Sequence, residues 1–144
     1  MKAVTGSEIL ETARSYIGTP FHHQGRKKGV GVDCAGLLVL TAEELGVSTG
    51  EASPRNYSRF PLVGRKFYEE VCLRMLEIPV SEIVPGSAVM FWIRRPDKPQ
   101  HIGLWTGAGL LHAWFEAGKV LECSYGPYWK EREYAAFNFR GFSQ

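Results

Sequence analysis

Three cysteines stand among 144 residues, an odd number at irregular spacing with no Cys-x-x-Cys pair. That excludes a disulfide framework and offers no zinc-ligand pattern, so reduced thiols, no metal and no cofactor are expected. Charge of one sign is lacking too: 17 Lys and Arg against 15 Asp and Glu leave a formal net charge of +2. Basic residues concentrate at Arg26-Lys27-Lys28 and Arg94-Arg95, clusters that read either as solvated loops or as a mild attraction to an anionic polymer. Nucleic acid is not an expected partner. No apolar run approaches the roughly 20 residues of a membrane-crossing helix, so no membrane insertion is expected. The first 18 residues carry Glu8, Glu11 and Arg14 where a signal peptide would need an unbroken apolar stretch. The chain is therefore expected to be cytoplasmic on synthesis, and a substrate outside the cell would require delivery by a larger assembly. Internal repeats and low-complexity segments are absent as well.

What is present suffices for one sizeable core: 44% of the residues are hydrophobic, and residues 1–144 are expected to form a single domain. Thr5-Gly6-Ser7-Glu8 has the spacing of a capping box, and Ile9, Ala13, Tyr16 and Ile17 follow at helical intervals up to a stop at Gly18. Residues 19–32 read as a long loop, of a length that is commonly functional inside a compact domain. Asp33 can cap a second helix, with Leu37, Leu38, Thr41 and Leu45 on one stripe and Gly46 closing it. Residues 48–61 read as a second loop, and Phe67, Val71 and Met75 suggest a third helix. After Pro85-Gly86 the texture changes to short apolar runs at 87–93, 101–106, 110–115, 119–123 and 134–140, bounded by turn residues. Helices first and strands afterwards indicate an α+β domain, N-terminal helices packed on a C-terminal antiparallel sheet.

Cys34 falls in the first turn of the second helix, where unpaired backbone N–H groups and the positive end of the helix dipole favour thiolate. Asp33 beside it opposes that effect, so activation would need a histidine partner. Two readings are open: a nucleophile, or a small buried apolar residue, the commonest fate of free cysteine. Cys72, mid-helix, and Cys123, at a strand end, lack an activating context and read as structural.

Two histidines supply the test. His101 opens the run His101-Ile102-Gly103-Leu104-Trp105, and His112 lies in Leu110-Leu111-His112-Ala113-Trp114, with Thr106-Gly107-Ala108-Gly109 as a tight turn between them. If the turn centres on Gly107-Ala108, Thr106 faces Gly109, His101 faces Trp114 and Gly103 faces His112. His101 and His112 then share a sheet face as diagonal neighbours at about 7–8 Å, with no side chain opposite His112. A slip of one residue would put them on opposite faces. The correct register gives a nucleophile, a base and an orienting group.

These segments resemble a known family. Asp33-Cys34-Ala35-Gly36-Leu37-Leu38 is similar to the Asp-Cys-Ser-Gly-Leu-Val signature around the nucleophile of NlpC/P60 cysteine peptidases, which have a papain-like fold. His101-Ile102-Gly103-Leu104 resembles their His-Val-Gly-Ile motif, and Leu111-His112-Ala113 the strand with their third polar catalytic residue. Pro85-Gly86-Ser87-Ala88-Val89-Met90-Phe91 resembles their Pro-Gly-Asp-Leu-Val-Phe-Phe strand, and residues 13–21 their first helix and following loop. Four motifs in order make a specific signal. Phe21-His22-His23-Gln24 and Gly29-Val30-Gly31-Val32-Asp33-Cys34 look like a subgroup from phage tails and gene-transfer agents, whose proteins become candidate partners, with the chain carried on a virion to the cell wall.

The resemblance implies a peptidoglycan hydrolase cutting stem peptides after D-glutamate and before diaminopimelate or lysine. It makes Cys34 the nucleophile, His101 the general base and His112 the orienting third residue, with substrate contacts from Phe21, His23, Asp33 and Ala35. Two positions depart from the pattern: Ala35 replaces a usual serine, and Phe21 a frequent tyrosine. His22 and His23 read either as substitutes for those polar contacts or as solvated loop residues. The rivals are a catalytically silent structural tail component, a thiol acyltransferase or amidase of related fold, and a metal site built from Cys34, His101 and His112.

Overall fold

Thr5 starts helix α1 (Gly6–Arg14) with the expected reciprocal cap: the Glu8 N–H donates to Thr5 Oγ1 at 3.1 Å and the Thr5 N–H to Glu8 Oε1 at 2.9 Å. The computed structural model describes residues 3–47 and 63–144. The helix stops at Arg14, short of Gly18, because the next amides turn back by three residues (Tyr16 to Ala13, Ile17 to Arg14). The Gly18 N–H is already taken by the Val120 carbonyl at 2.9 Å. The stretch expected as a loop is tied down as well. A two-stranded ribbon, β1 (Arg26–Lys27) with β2 (Gly31–Val32), forms inside it, and Phe21 N–H donates to Gly118 O at 2.8 Å.

Helix α2 (Cys34–Leu45) is capped by Asp33, whose Oδ1 accepts the Gly36 N–H at 2.7 Å, and ends at left-handed Gly46 (φ 73°). Its stripe of Leu37, Leu38, Thr41 and Leu45 is buried as expected. The loop expected over 48–61 lies outside the described residues. Helix α3 (Arg65–Arg74) ends one residue before Met75, which was expected to extend it. Arg140 Nη2 donates to Leu73 O at 2.9 Å, closing the helix end, while Met75 turns extended and opens β3 (Met75–Ile78) against Phe139. The core is reached by Met75 in either conformation, so the periodicity alone was ambiguous.

A 3₁₀ turn (Val80–Glu82) leads to β4 (Ala88–Trp92), β5 (Pro99–Trp105), β6 (Gly109–Trp114) and β7 (Lys119–Ser124), then a short helix α4 (Pro127–Lys130) and β8 (Glu133–Phe139). The antiparallel sheet runs β3-β8-β4-β5-β6-β7. Side chains alternate between its faces. Ala88, Met90, Ile102, Leu104, Leu111 and Ala113 meet the helices in the main core. Val89, Phe91 and Leu110 face the other way, into a smaller cluster that α4 closes with Trp129.

Candidate active site

The hairpin has the expected register: Leu104 pairs with Leu111 and Trp105 with Leu110, closing on Thr106–Gly109. His101 and His112 therefore share a face, and their rings bond directly, Nε2 to Nδ1, at 2.7 Å. Gly103 makes room for this. A Cβ there would stand 2.9 Å from His112 Cβ and 2.8 Å from Leu110 Cδ1, closer than packed carbon atoms approach.

Aromatic rings enclose the pair. Phe91 stacks on His101 at 6.1 Å between centroids, Trp114 lies 4.9 Å from His101 and stacks on His112, and Trp129 meets His112 edge-on at 5.1 Å. Removal from water disfavours the charged imidazole. Burial, then the neighbouring His112, holds His101 well below the usual histidine range, and burial lowers His112 to about 4. At neutral pH both rings are uncharged.

Cys34 is half-buried at the first position of α2. Burial first, and then the Asp33 carboxylate, push its thiol up to about 12, against the opposing pull of the Ile102 and Ala35 amides and of Arg26. The Ile102 contact follows from the sheet. Ladder bonds alternate along an antiparallel pair, so after Thr106–Gly109 and Leu104–Leu111 the next bonded pair would be Ile102–Ala113. The β5–β6 ladder stops before it, and the Ile102 N–H instead faces the Cys34 sulfur. The thiol thus lies against the peptide unit joining His101 to Ile102.

The loop before α2 is bound to the same spot. Asp33 is buried: Oδ1 accepts from Arg26 Nη1 at 2.9 Å as well as from Gly36, and Oδ2 accepts the Gln24 N–H at 2.9 Å. His23, half-buried, sits 4.0 Å from that carboxylate. His22 is exposed and its Nδ1 is 3.0 Å from the His23 carbonyl. Phe21 is half-buried, bridges to Val32, and meets the exposed ring of Phe115 edge-on at 6.4 Å. Ala35 is half-exposed beside Cys34. Asp33 is thus held inside the scaffold, whereas Phe21 and Ala35 retain accessible surface.

Two residues gain a place that the sequence reading had not given them. Cys123 brings its Sγ to 3.4 Å from His112 Nε2, and Trp129 roofs both imidazoles. The signal for Cys123 lay in the second hairpin: Trp114 pairs with Lys119, so Leu121 faces His112 and Cys123 falls on the same face. Cys72 remains apart on α3, its sulfur directed toward Glu77. Among the described residues no group of three or more His, Cys, Asp and Glu is placed to hold a metal ion.

The NlpC/P60 family model matches residues 18–138. Gamma-DL-glutamyl hydrolase of Bacillus subtilis (strain 168) is 27% identical over 126 residues, 86% of this chain and 27% of its own length, so the chain spans about a quarter of that relative. The crystal structure of the NlpC/p60 domain of the peptidoglycan hydrolase SagA superposes with a TM-score of 0.63 at 24% identity, covering 94% of this chain and all of that one. RipD of Mycobacterium tuberculosis, a non-catalytic NlpC/p60 domain protein adapted to peptidoglycan binding, superposes at 0.59 and 14% identity over 92% and 95% of the two chains. These two likenesses concern the fold, papain-like and α+β.

Proposed function

The chain belongs to the NlpC/P60 family, and from that membership we propose that residues 1–144 form one peptidase domain that hydrolyses peptide links in peptidoglycan with Cys34 as nucleophile. The observation that carries this is the convergence of the Cys34 thiol on the peptide unit after His101, with His101 bonded at 2.7 Å to His112.

With the thiol high and the imidazoles low, the resting pair is uncharged. His101 Nδ1 takes the Cys34 proton as sulfur attacks the amide carbon, acting as a general base during bond formation. His112 holds the ring and supports the imidazolium that results. The oxyanion meets the Cys34 backbone N–H at the open start of α2, where helix amides lack partners. Collapse passes the His101 proton to the leaving amine, and water, deprotonated by His101, then hydrolyses the thioester.

The name of the Bacillus relative supports a bond on the carboxyl side of glutamate, and the family resemblance narrows it to D-glutamate before diaminopimelate or lysine. Phe21 and Ala35 form the accessible rim for the stem peptide, with His23 behind it. The segment 21–34 supports the finer setting of a phage tail or gene-transfer agent, in which tail proteins carry the domain to the wall. A second reading, a silent wall-binding component, is favoured by the raised Cys34 thiol and by the precedent of RipD. A thiol acyltransferase or amidase of related fold would share the nucleophile and differ in product.

Muropeptides of several wall types, digested with wild-type and Cys34→Ala protein and resolved by mass spectrometry, decide among these. Wild type should release a new amine and a D-glutamate carboxyl, and Cys34→Ala neither. Release by Cys34→Ala would refute the assignment, and inactivity of wild type on every wall type would favour the silent component.

A further inference from the structure

The thiol of Cys123, on β7, reaches the histidine pair. Cys123 on β7 pairs with Leu110 and is two residues from Leu121, the partner of His112. Its sulfur is 3.4 Å from His112 Nε2, while His112 Nδ1 is 2.7 Å from His101 Nε2. The polar atoms thus form one line: His101 Nε2, His112 Nδ1, His112 Nε2, Cys123 Sγ.

A neutral imidazole carries one N–H, so this line has two self-consistent proton arrangements. In one, each ring is protonated on Nε2: His101 donates to His112, His112 donates onward to the Cys123 sulfur, and His101 Nδ1 is a free acceptor. In the other, each ring is protonated on Nδ1: His112 donates back to His101, and His101 can no longer take a proton at Nδ1. Only the first lets His101 serve as a base, and it also survives the reaction, since an imidazolium at His101 still donates from Nε2. The surrounding Phe91, Trp114 and Trp129 rings supply packing. Trp129 also lies by the Cys123 sulfur, where an indole can act as donor alone. Burial keeps the Cys123 thiol neutral.

We infer that Cys123 is a positioning residue: its sulfur accepts the His112 Nε2–H and thereby holds both rings in the tautomer that leaves His101 Nδ1 free. The inference rests on the peptidase reading for its consequence in catalysis, and on hydrogen-bond geometry for the tautomer itself.

The test combines two-bond proton–nitrogen spectra of histidine-labelled protein at pH 7 with kcat and KM on a muropeptide, for wild type, Cys123→Ser and Cys123→Val. Wild type should show both rings protonated on Nε2. Cys123→Ser, whose hydroxyl can accept the same proton, should keep both tautomers and stay within about twofold in kcat, a loss well under one hydrogen bond. Cys123→Val should populate Nδ1–H at His112 and lose kcat about tenfold at unchanged KM, the scale of one hydrogen bond. A wild-type spectrum with His112 protonated on Nδ1, or a Cys123→Val protein unchanged in both spectrum and kcat, would overturn the inference. The wild-type spectrum decides the tautomer even if a variant does not fold. A wild type inactive on every substrate would refute the peptidase reading alone, leaving the spectrum to judge the hydrogen bond.

Discussion

Gly103 has an ordinary backbone conformation, and what it contributes is empty space opposite His112. Gly103→Ala places a methyl group 2.9 Å from His112 Cβ, so His112 must shift away from His101. The expected result is a loss of about 1–3 kcal/mol in stability, typical of overpacking, with a kcat loss larger than the stability loss accounts for; urea unfolding and steady-state kinetics on the same preparation measure both. Asp33 acts in the opposite sense on the thiol. Asp33→Asn keeps an acceptor for the Gly36 N–H and removes the negative charge beside Cys34, while Arg26 keeps its own. Iodoacetamide alkylation of Cys34 should therefore reach its half-maximal rate at lower pH in the variant than in wild type, with a lower melting temperature because Arg26 loses its carboxylate. An unchanged alkylation profile would show that the Asp33 charge does not raise the thiol. At this scale the histidine pair was legible from Gly107-Ala108, since a two-residue turn dictates every pair behind it. The partners from distant segments, Trp129 above all, were not, because their arrival depends on how α4 docks.

At the scale of elements, the ribbon β1–β2 and the start of α2 form one unit. Gly36 lies at their junction: a Cβ there would meet the Gly25 carbonyl oxygen at 2.5 Å and Arg26 Nη1 at 2.7 Å. Ala is the better helix former by up to about 1 kcal/mol, yet Gly36→Ala should destabilise, because backbone oxygen cannot yield as a side chain does. Amide exchange should rise across residues 25–32 and peptidase activity should fall, with the rest of the sheet unchanged. Exchange confined to α2 would contradict that coupling. The capping box of α1, the stripe of α2 and the five strands after Gly86 were readable because each signal is local. β3 was not: four residues pair with β8 more than fifty positions later, and their helical spacing from Phe67 concealed the change of conformation. The ribbon escaped notice for a related reason, its strands being two residues each.

For the whole molecule, burial of two uncharged imidazoles ties stability to pH. Both folded-state values lie below the unfolded one of about 6.5, so the unfolded chain takes up protons first as pH falls. The contribution is fully present above about 6.5 and is lost downward through the folded value of His112 at about 4, with that of His101 lowered as well. The urea midpoint should therefore drop between pH 7 and 4, and His112→Gln should flatten that slope even if it costs stability at pH 7. A midpoint flat over this range would mean that the folded rings take up protons as readily as the unfolded ones. The same direction places the acid limb of kcat/KM below the ordinary histidine range. The α+β arrangement was legible from the order of helices and strands, whereas the meeting of α2 with β5 was not, since a helix start and a strand sixty-odd residues apart share no local pattern.

The unfinished β5–β6 ladder has a consequence for how such a chain can be improved. A sheet optimised for its own hydrogen bonds would zip onward through Ile102 and Ala113, and any change that achieved this would yield a firmer protein with its thiol shut out. Thermal robustness and reactivity are set against each other at the Ile102–Ala113 pair, so selection for heat resistance alone should drift toward closing it.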